Sequence, residues 1–104
     1  MFDIPEKILN RWLLILSEEK AIEQAILFGS RARGDARANS DIDLALLGVA
    51  IPIHIHTKLR EAAGLYKVDI VRLDELDNKA LVENIERDGI VIYNREEPPS
   101  FSST

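Results

Sequence analysis

Cysteine is absent from this sequence of 104 residues. Disulfides, thiolate metal sites and cysteine nucleophiles are therefore excluded, and stability must come from the core or from a partner. No apolar run approaches the ~20 residues that a membrane-spanning helix requires. The opening MFDIPEKILN has no basic segment followed by an apolar stretch, so it does not read as a secretory leader, and a cytoplasmic location is the expectation. Basic residues are outnumbered, with 13 Lys and Arg against 18 Asp and Glu for a net charge of −5. An acidic domain is a poor candidate for broad binding to a nucleic-acid backbone. It can still bind a small phosphate compound where metal ions supply the positive charge. The 46% of apolar and 30% of charged residues are the profile of one soluble globular domain. A domain this short buries only roughly 60–65% of the surface its unfolded chain exposes. Little material remains for a separate substrate-binding domain.

The first helix is expected from Asp3 and Glu6, at capping-box spacing, with Pro5 in the first turn. Ile8, Leu9, Trp12, Leu13 and Leu16 form its apolar stripe, ending near Glu19, with Trp12 as a core anchor. Ala25 to Phe28 is a continuous apolar run stopped by Gly29, as in a buried strand. Ser30 to Ser40 is polar and reads as a turn, with room for a short helix starting at Ser30. Asp41 to Leu47 is a second strand. Pro52 to Leu65 fits a helix, although IPIHIH also alternates like a strand. Val68 to Leu73 is a third strand. Asp74 is expected to cap a helix carrying Leu76, Ala80, Leu81 and Ile85, with Gly89 just past its end. Ile90 to Tyr93 is a short last strand. Residues 1–94 thus form one α/β domain, a single sheet with helices packed against it. Residues 95–104, REEPPSFSST, have the composition of a flexible tail.

The chemistry concentrates between Leu27 and Leu46, LFGSRARGDARANSDIDLAL. Gly29-Ser30 falls where a buried strand ends and a turn or helix begins. Such a junction offers backbone N–H groups to phosphate oxygens. Glycine lets a ligand approach the backbone, and the serine hydroxyl adds a donor. After ten further residues comes Asp41-Ile42-Asp43. On a strand, residues i and i+2 share a face, so two carboxylates aim at one point while Ile42 turns to the buried side. Adjacent carboxylates repel, and a hard divalent cation such as magnesium removes that cost. Asp69, between Val68 and Ile70, is out of place in a purely structural strand. If that strand neighbours Asp41–Leu47, Asp69 reaches the same centre, and three carboxylates from two strands suit two-metal phosphoryl transfer. Taken singly, Asp-x-Asp is most often a solvated strand start, Gly-Ser a turn and a lone Asp an exposed residue. The specificity lies in the combination. Arg31 and Arg33 are candidates to touch phosphates or neutralise developing charge, with a solvated polar loop as the alternative, favoured for Arg37. His54 and His56 lack a third ligand at metal-site spacing and read as surface positions.

Gly29-Ser30, ten intervening residues and Asp41-x-Asp43 resemble the signature of the polymerase-β-like nucleotidyltransferase superfamily. The short length resembles its minimal nucleotidyltransferase branch, and the likeness spans roughly Trp12 to Tyr93. The resemblance implies a small mixed sheet flanked by helices, with Asp41 and Asp43 holding two magnesium ions. Asp69 matches the third carboxylate of active members. It further implies ATP as the substrate, with its β- and γ-phosphates at Gly29 and Ser30, and transfer of AMP to a hydroxyl. Proteins of this branch are often paired with a HEPN-family toxin, act as its antitoxin and can AMPylate its tyrosine. A hetero-oligomer with such a toxin is therefore implied.

Two rivals stay open at this level. One is a non-catalytic antitoxin that masks its partner sterically, against which the intact Asp41, Asp43 and Asp69 count. The other is a small-molecule adenylyltransferase of the aminoglycoside-modifying type, against which the lack of material for a second domain counts.

Overall fold

The computed structural model describes residues 4–37 and 40–96. Their elements run α1 (Glu6–Ser17), β1 (Ile22–Phe28), α2 (Ser30–Arg33), β2 (Ile42–Gly48), α3 (Ile53–Ala62), β3 (Val68–Arg72), α4 (Lys79–Asp88) and β4 (Ile90–Asn94). The strands form one sheet in the order β3-β2-β1-β4. β1 pairs antiparallel with β2 and β4, whereas β2 and β3 run parallel, with α3 in the crossover between them. This is the mixed sheet flanked by helices that the family resemblance implies.

Alternation along the strands divides the core between the two faces. Ile42, Leu44 and Leu46 of β2 join Ala25 and Leu27 of β1 against α1 and α3 in the main cluster. Trp12 anchors it fully buried, its indole N–H donating to the Leu59 carbonyl at 2.8 Å and tying α1 to α3. On the other face, Ile26 and Ala45 pack against Ile85 of α4 in a smaller cluster. Asp43 precedes Ala45 by two residues, and Asp69 precedes Val71 likewise. The carboxylates therefore belong to this second, less covered face.

Several boundaries differ from the sequence-based expectation. β1 begins at Ile22 rather than Ala25, because a register irregularity between Ile22 and Gln24 lets both Ile22 and Ala25 reach the main core despite the polar Glu23-Gln24 between them. α1 has Pro5 at its N-cap with no side-chain cap, and the expected cap Asp3 lies outside the described residues. Pro52 likewise stands at the N-cap of α3, and IPIHIH is helical rather than extended from Ile53 onward. α4 is capped by Asn78, whose Oδ1 accepts from the Leu81 N–H at 3.2 Å. Asp74 is instead drawn to Arg72 at 3.1 Å, and Ala80 is exposed. Gly89 ends α4 with φ −71°, so positive φ is not its reason. A β-carbon there would stand 2.3 Å from the Ile85 carbonyl oxygen and 2.5 Å from Ile26. Arg95 is no part of a loose tail. Its N–H donates to the Glu23 carbonyl at 2.8 Å, and its guanidinium donates to the Lys20 carbonyl. The remainder of the expected tail, from Glu97, lies outside the described residues.

Candidate active site

Three local features bring the carboxylates together. Ile42 is fully buried, which turns Asp41 and Asp43 to the opposite face. The parallel register then sets Asp43 directly beside Asp69, and adjacent strands are about 4.8 Å apart. On the other flank of β2, Asp43 pairs with Phe28 at the end of β1. The chain turns there through Gly29, at φ 75° and ψ −153°, into α2. A β-carbon on Gly29 would stand 2.2 Å from Asp43 Oδ2. Glycine is thus required twice at this position, for its backbone angles and to leave room for the carboxylate.

The electrostatics of the cluster are unfavourable on their own. Burial, then the charges of Asp69 and Asp41, push the Asp43 carboxyl above its ordinary value, while the Arg33 guanidinium pulls the other way. Asp41 has Lys67 at 3.9 Å, an exposed pairing that contributes little. Among the described residues no three His, Asp or Glu side chains converge into a ready-made metal cage. Backbone register and mutual repulsion, rather than a closed ligand set, define the cluster.

A groove of about 400 Å³ leads away from it on the β1 side. Gly29 and Arg33 line one part, and Leu81, Asn84 and Arg87 of α4 line another. A second groove, of about 330 Å³, is bounded by Glu23, Gln24 and Asn94. It lies at the opposite end of β1 from Phe28 and carries none of these carboxylates.

The profile of the polymerase beta nucleotidyltransferase family matches residues 13–98. The chain belongs to that family. The protein adenylyltransferase MntA of Aphanizomenon flos-aquae is 31% identical over 100 residues, covering 83% of this chain and 65% of that protein. A Methanocaldococcus jannaschii protein, classed provisionally as a protein adenylyltransferase, is 38% identical over 79 residues, covering 69% of this chain and 79% of that one. Among solved structures, a toxin–antitoxin complex with AMP-PNP matches with a TM-score of 0.69 and 25% identity, covering 83% of this chain and 73% of that chain.

Within this nucleotidyltransferase the arginines divide. Arg33 is exposed beside the groove, with Asp35 at 3.4 Å. Arg31 is buried. Its Nε and Nη2 donate to the Ser40 carbonyl at 3.3 and 2.9 Å, and its guanidinium lies 5.3 Å from the centroid of the Tyr66 ring. It therefore fastens α2 to the segment leading into β2 and to the loop before β3, a role that its position in a polar loop did not reveal. Ser30 is half-buried at the start of α2. Arg37 is exposed, as expected. His54 is exposed, but His56 is buried on the core side of α3 beside Ile55, a correction to the surface reading. Its Nε2 finds no partner. Burial and the nearby Arg60 and Arg72 hold its pKa below 6.5. The α4 wall of the groove was missed because it comes from a segment over forty residues away from the Gly-Ser turn. Its basic Arg87 on an amphipathic helix was the one available signal.

Proposed function

We propose that this protein is a magnesium-dependent adenylyltransferase that moves AMP from ATP onto the tyrosine hydroxyl of a HEPN-type toxin, acting in the cytoplasm as its antitoxin. The observation that carries this reading is the pairing of Asp43 with Asp69 on adjacent parallel strands, beside Gly29. The names of the relatives support the reaction class, and the AMP-PNP complex supports the nucleotide and the kind of partner.

The donor set fits a hard cation. It is all oxygen, mutually repulsive and half-buried to exposed. Asp41 and Asp43 would hold two magnesium ions, with Asp69 completing the site of one of them. Bound there, divalent cations would supply Lewis-acid activation of the hydroxyl and charge neutralisation of the departing pyrophosphate. The chain's own part is positioning. Gly29 has no side chain to block the approach of the β- and γ-phosphates, and Ser30 can donate its hydroxyl to them. Arg33 offsets charge beside Asp43. Arg31 braces the turn through the Ser40 carbonyl and the Tyr66 ring. In the transfer, the hydroxyl oxygen forms a bond to the α-phosphorus and the α–β bridging bond breaks. Pyrophosphate leaves, and the hydroxyl proton passes to water.

The test is to incubate the protein with the proposed HEPN-type toxin, magnesium and ATP, and to weigh the toxin intact. Increments of AMP on a tyrosine are expected with the wild type and none with Asp41→Asn. Equal neutralisation of the partner by both proteins, without a mass change, would overturn the catalytic reading in favour of steric masking.

A further inference from the structure

The carboxylate site is asymmetric across the sheet. Asp69 lies on β3, on one side of Asp43, while Gly29 lies at the end of β1, on the other. The groove opens on the Gly29 side, and two guanidinium groups border it, Arg33 from α2 and Arg87 from α4. Arg87 is exposed. Its Nη2 donates to Asn84 Oδ1 at 2.7 Å, and its Nε is 3.3 Å from Asp88 Oδ1. Asn84 and Asp88 thus hold the guanidinium at the groove.

Resting on the adenylyltransferase reading, we propose that Arg87 of α4 is a nucleotide-binding residue. It grips the terminal phosphates of ATP, opposite Arg33, and makes the groove the channel for the pyrophosphate end. A nucleotide whose α-phosphate is at Asp43 has two directions open to it. In the proposed reaction the ion whose site Asp69 completes would be the one that activates the acceptor hydroxyl, which assigns the acceptor to the Asp69 side. The polyphosphate chain therefore runs over Gly29, where no side chain obstructs it, into a groove about 400 Å³ in volume. There it meets two planar guanidinium groups suited to phosphate oxygens. Asp88 competes for Arg87 in the free protein, so phosphate binding exchanges one anionic partner for another. Arg87 then selects for the triphosphate over shorter nucleotides, because only the triphosphate reaches α4.

The experiment is calorimetric titration of ATP and AMP, with magnesium, into the wild-type protein, Arg87→Ala, Arg87→Lys and Asp88→Asn. Arg87→Ala is expected to weaken ATP about five- to tenfold, the range for a charged hydrogen bond tempered by solvent, while AMP is unchanged. Arg87→Lys restores part of the loss. Asp88→Asn tightens ATP by freeing the guanidinium. Arg87 is exposed and Asp88 half-buried, and circular dichroism checks that each of the three variants is folded. Wild-type ATP affinity in folded Arg87→Ala overturns the assignment of Arg87 and leaves the adenylyltransferase reading standing. An equal loss for ATP and AMP also overturns it, placing the base or ribose in the groove instead. Failure of the wild-type protein to bind ATP overturns both readings together.

Discussion

The Asp43 carboxylate lies against the α-carbon of Gly29, so close that a β-carbon there would stand 2.2 Å from Asp43 Oδ2. Gly29 also has φ 75°, where an L side chain is strained. Gly29→Ala must therefore either displace the carboxylate or shift the turn. Displacements of about 1 Å near reacting groups cost about 100-fold in rate. We expect a loss of that order in AMP transfer, together with a lower melting temperature. Transfer at the wild-type rate would show that the turn relaxes without disturbing Asp43.

Asp43→Asn should make the protein more stable while abolishing transfer. The folded state raises the pKa of Asp43 through burial and the charges of Asp69 and Asp41. Protonation is thus favoured by folding, and the stability it brings is present below the ordinary value of 3.8 and lost as pH rises through the folded value. At neutral pH the ionised wild type carries the full penalty, reduced by solvent because the group is only half-buried. Melting curves should place the variant a few degrees above the wild type at pH 7 and closer to it at pH 4. Magnesium should raise the wild-type melting temperature and leave the variant nearly unaffected. A variant less stable than the wild type at pH 7 would contradict the repulsion argument.

Much of this site was legible because it is local. A strand end, a glycine, a serine and two aspartates flanking an inward Ile42 are specified within seventeen residues, from Leu27 to Asp43. Asp69 needed one long-range assumption, that its strand neighbours β2, and the parallel pairing of Asp43 with Asp69 meets it. The remainder depended on tertiary partners. The contacts of Arg31 with Ser40 and Tyr66 arise only once the chain has folded. Asp74 looked like a helix cap until Arg72 drew it away. Ile22 was hidden by a bulge, and the groove required α4 to fold back beside the Gly29 turn. Periodicity sees one element at a time, so none of these was visible in it.

His56 should make the fold acid-sensitive. It is buried on α3 with Nε2 unpartnered, and burial, Arg60 and Arg72 depress its pKa below 6.5, with Glu75 opposing them. A depressed pKa contributes stability that is complete above the unfolded value and lost as pH falls through the folded one. Urea midpoints of the wild type should therefore drop below about pH 6.5. His56→Phe, which cannot take up the proton, should lack that component of the drop. Identical pH profiles for the two proteins would show that His56 is protonated without cost in the folded state.

The end of the domain can be located by truncation. Arg95 bonds to the Glu23 and Lys20 carbonyls, closing the start of β1. Removing residues 97–104, a Pro- and Ser-rich segment without periodic apolar positions, should shift the melting temperature little. Removing Arg95 and Glu96 as well should lower it by a few degrees more. Equal melting temperatures for the two truncations would place the end of the domain at Asn94.

Asp69→Asn should separate chemistry from binding. Asp69 is exposed, on β3, and faces Asp43 from the side away from the groove. On the proposed geometry the triphosphate lies toward Gly29 and Arg33, so it does not depend on Asp69. The acceptor hydroxyl approaches on the Asp69 side and does. A tyrosine hydroxyl has a pKa of about 10, so few phenolates are present at neutral pH unless positive charge is held beside it. Loss of one carboxylate there weakens that charge without touching the phosphate cradle. Turnover with the partner should fall about 100-fold or more, while ATP affinity stays within about twofold of the wild type. The readouts are single-turnover AMP transfer and ATP titration on the same protein preparation. A parallel fall in both would put Asp69 in the nucleotide site, and no fall in either would leave it an exposed strand residue. Removing the charge also relieves Asp43, whose pKa is raised in part by Asp69. The variant should therefore be no less stable than the wild type, so a loss of turnover cannot be ascribed to unfolding.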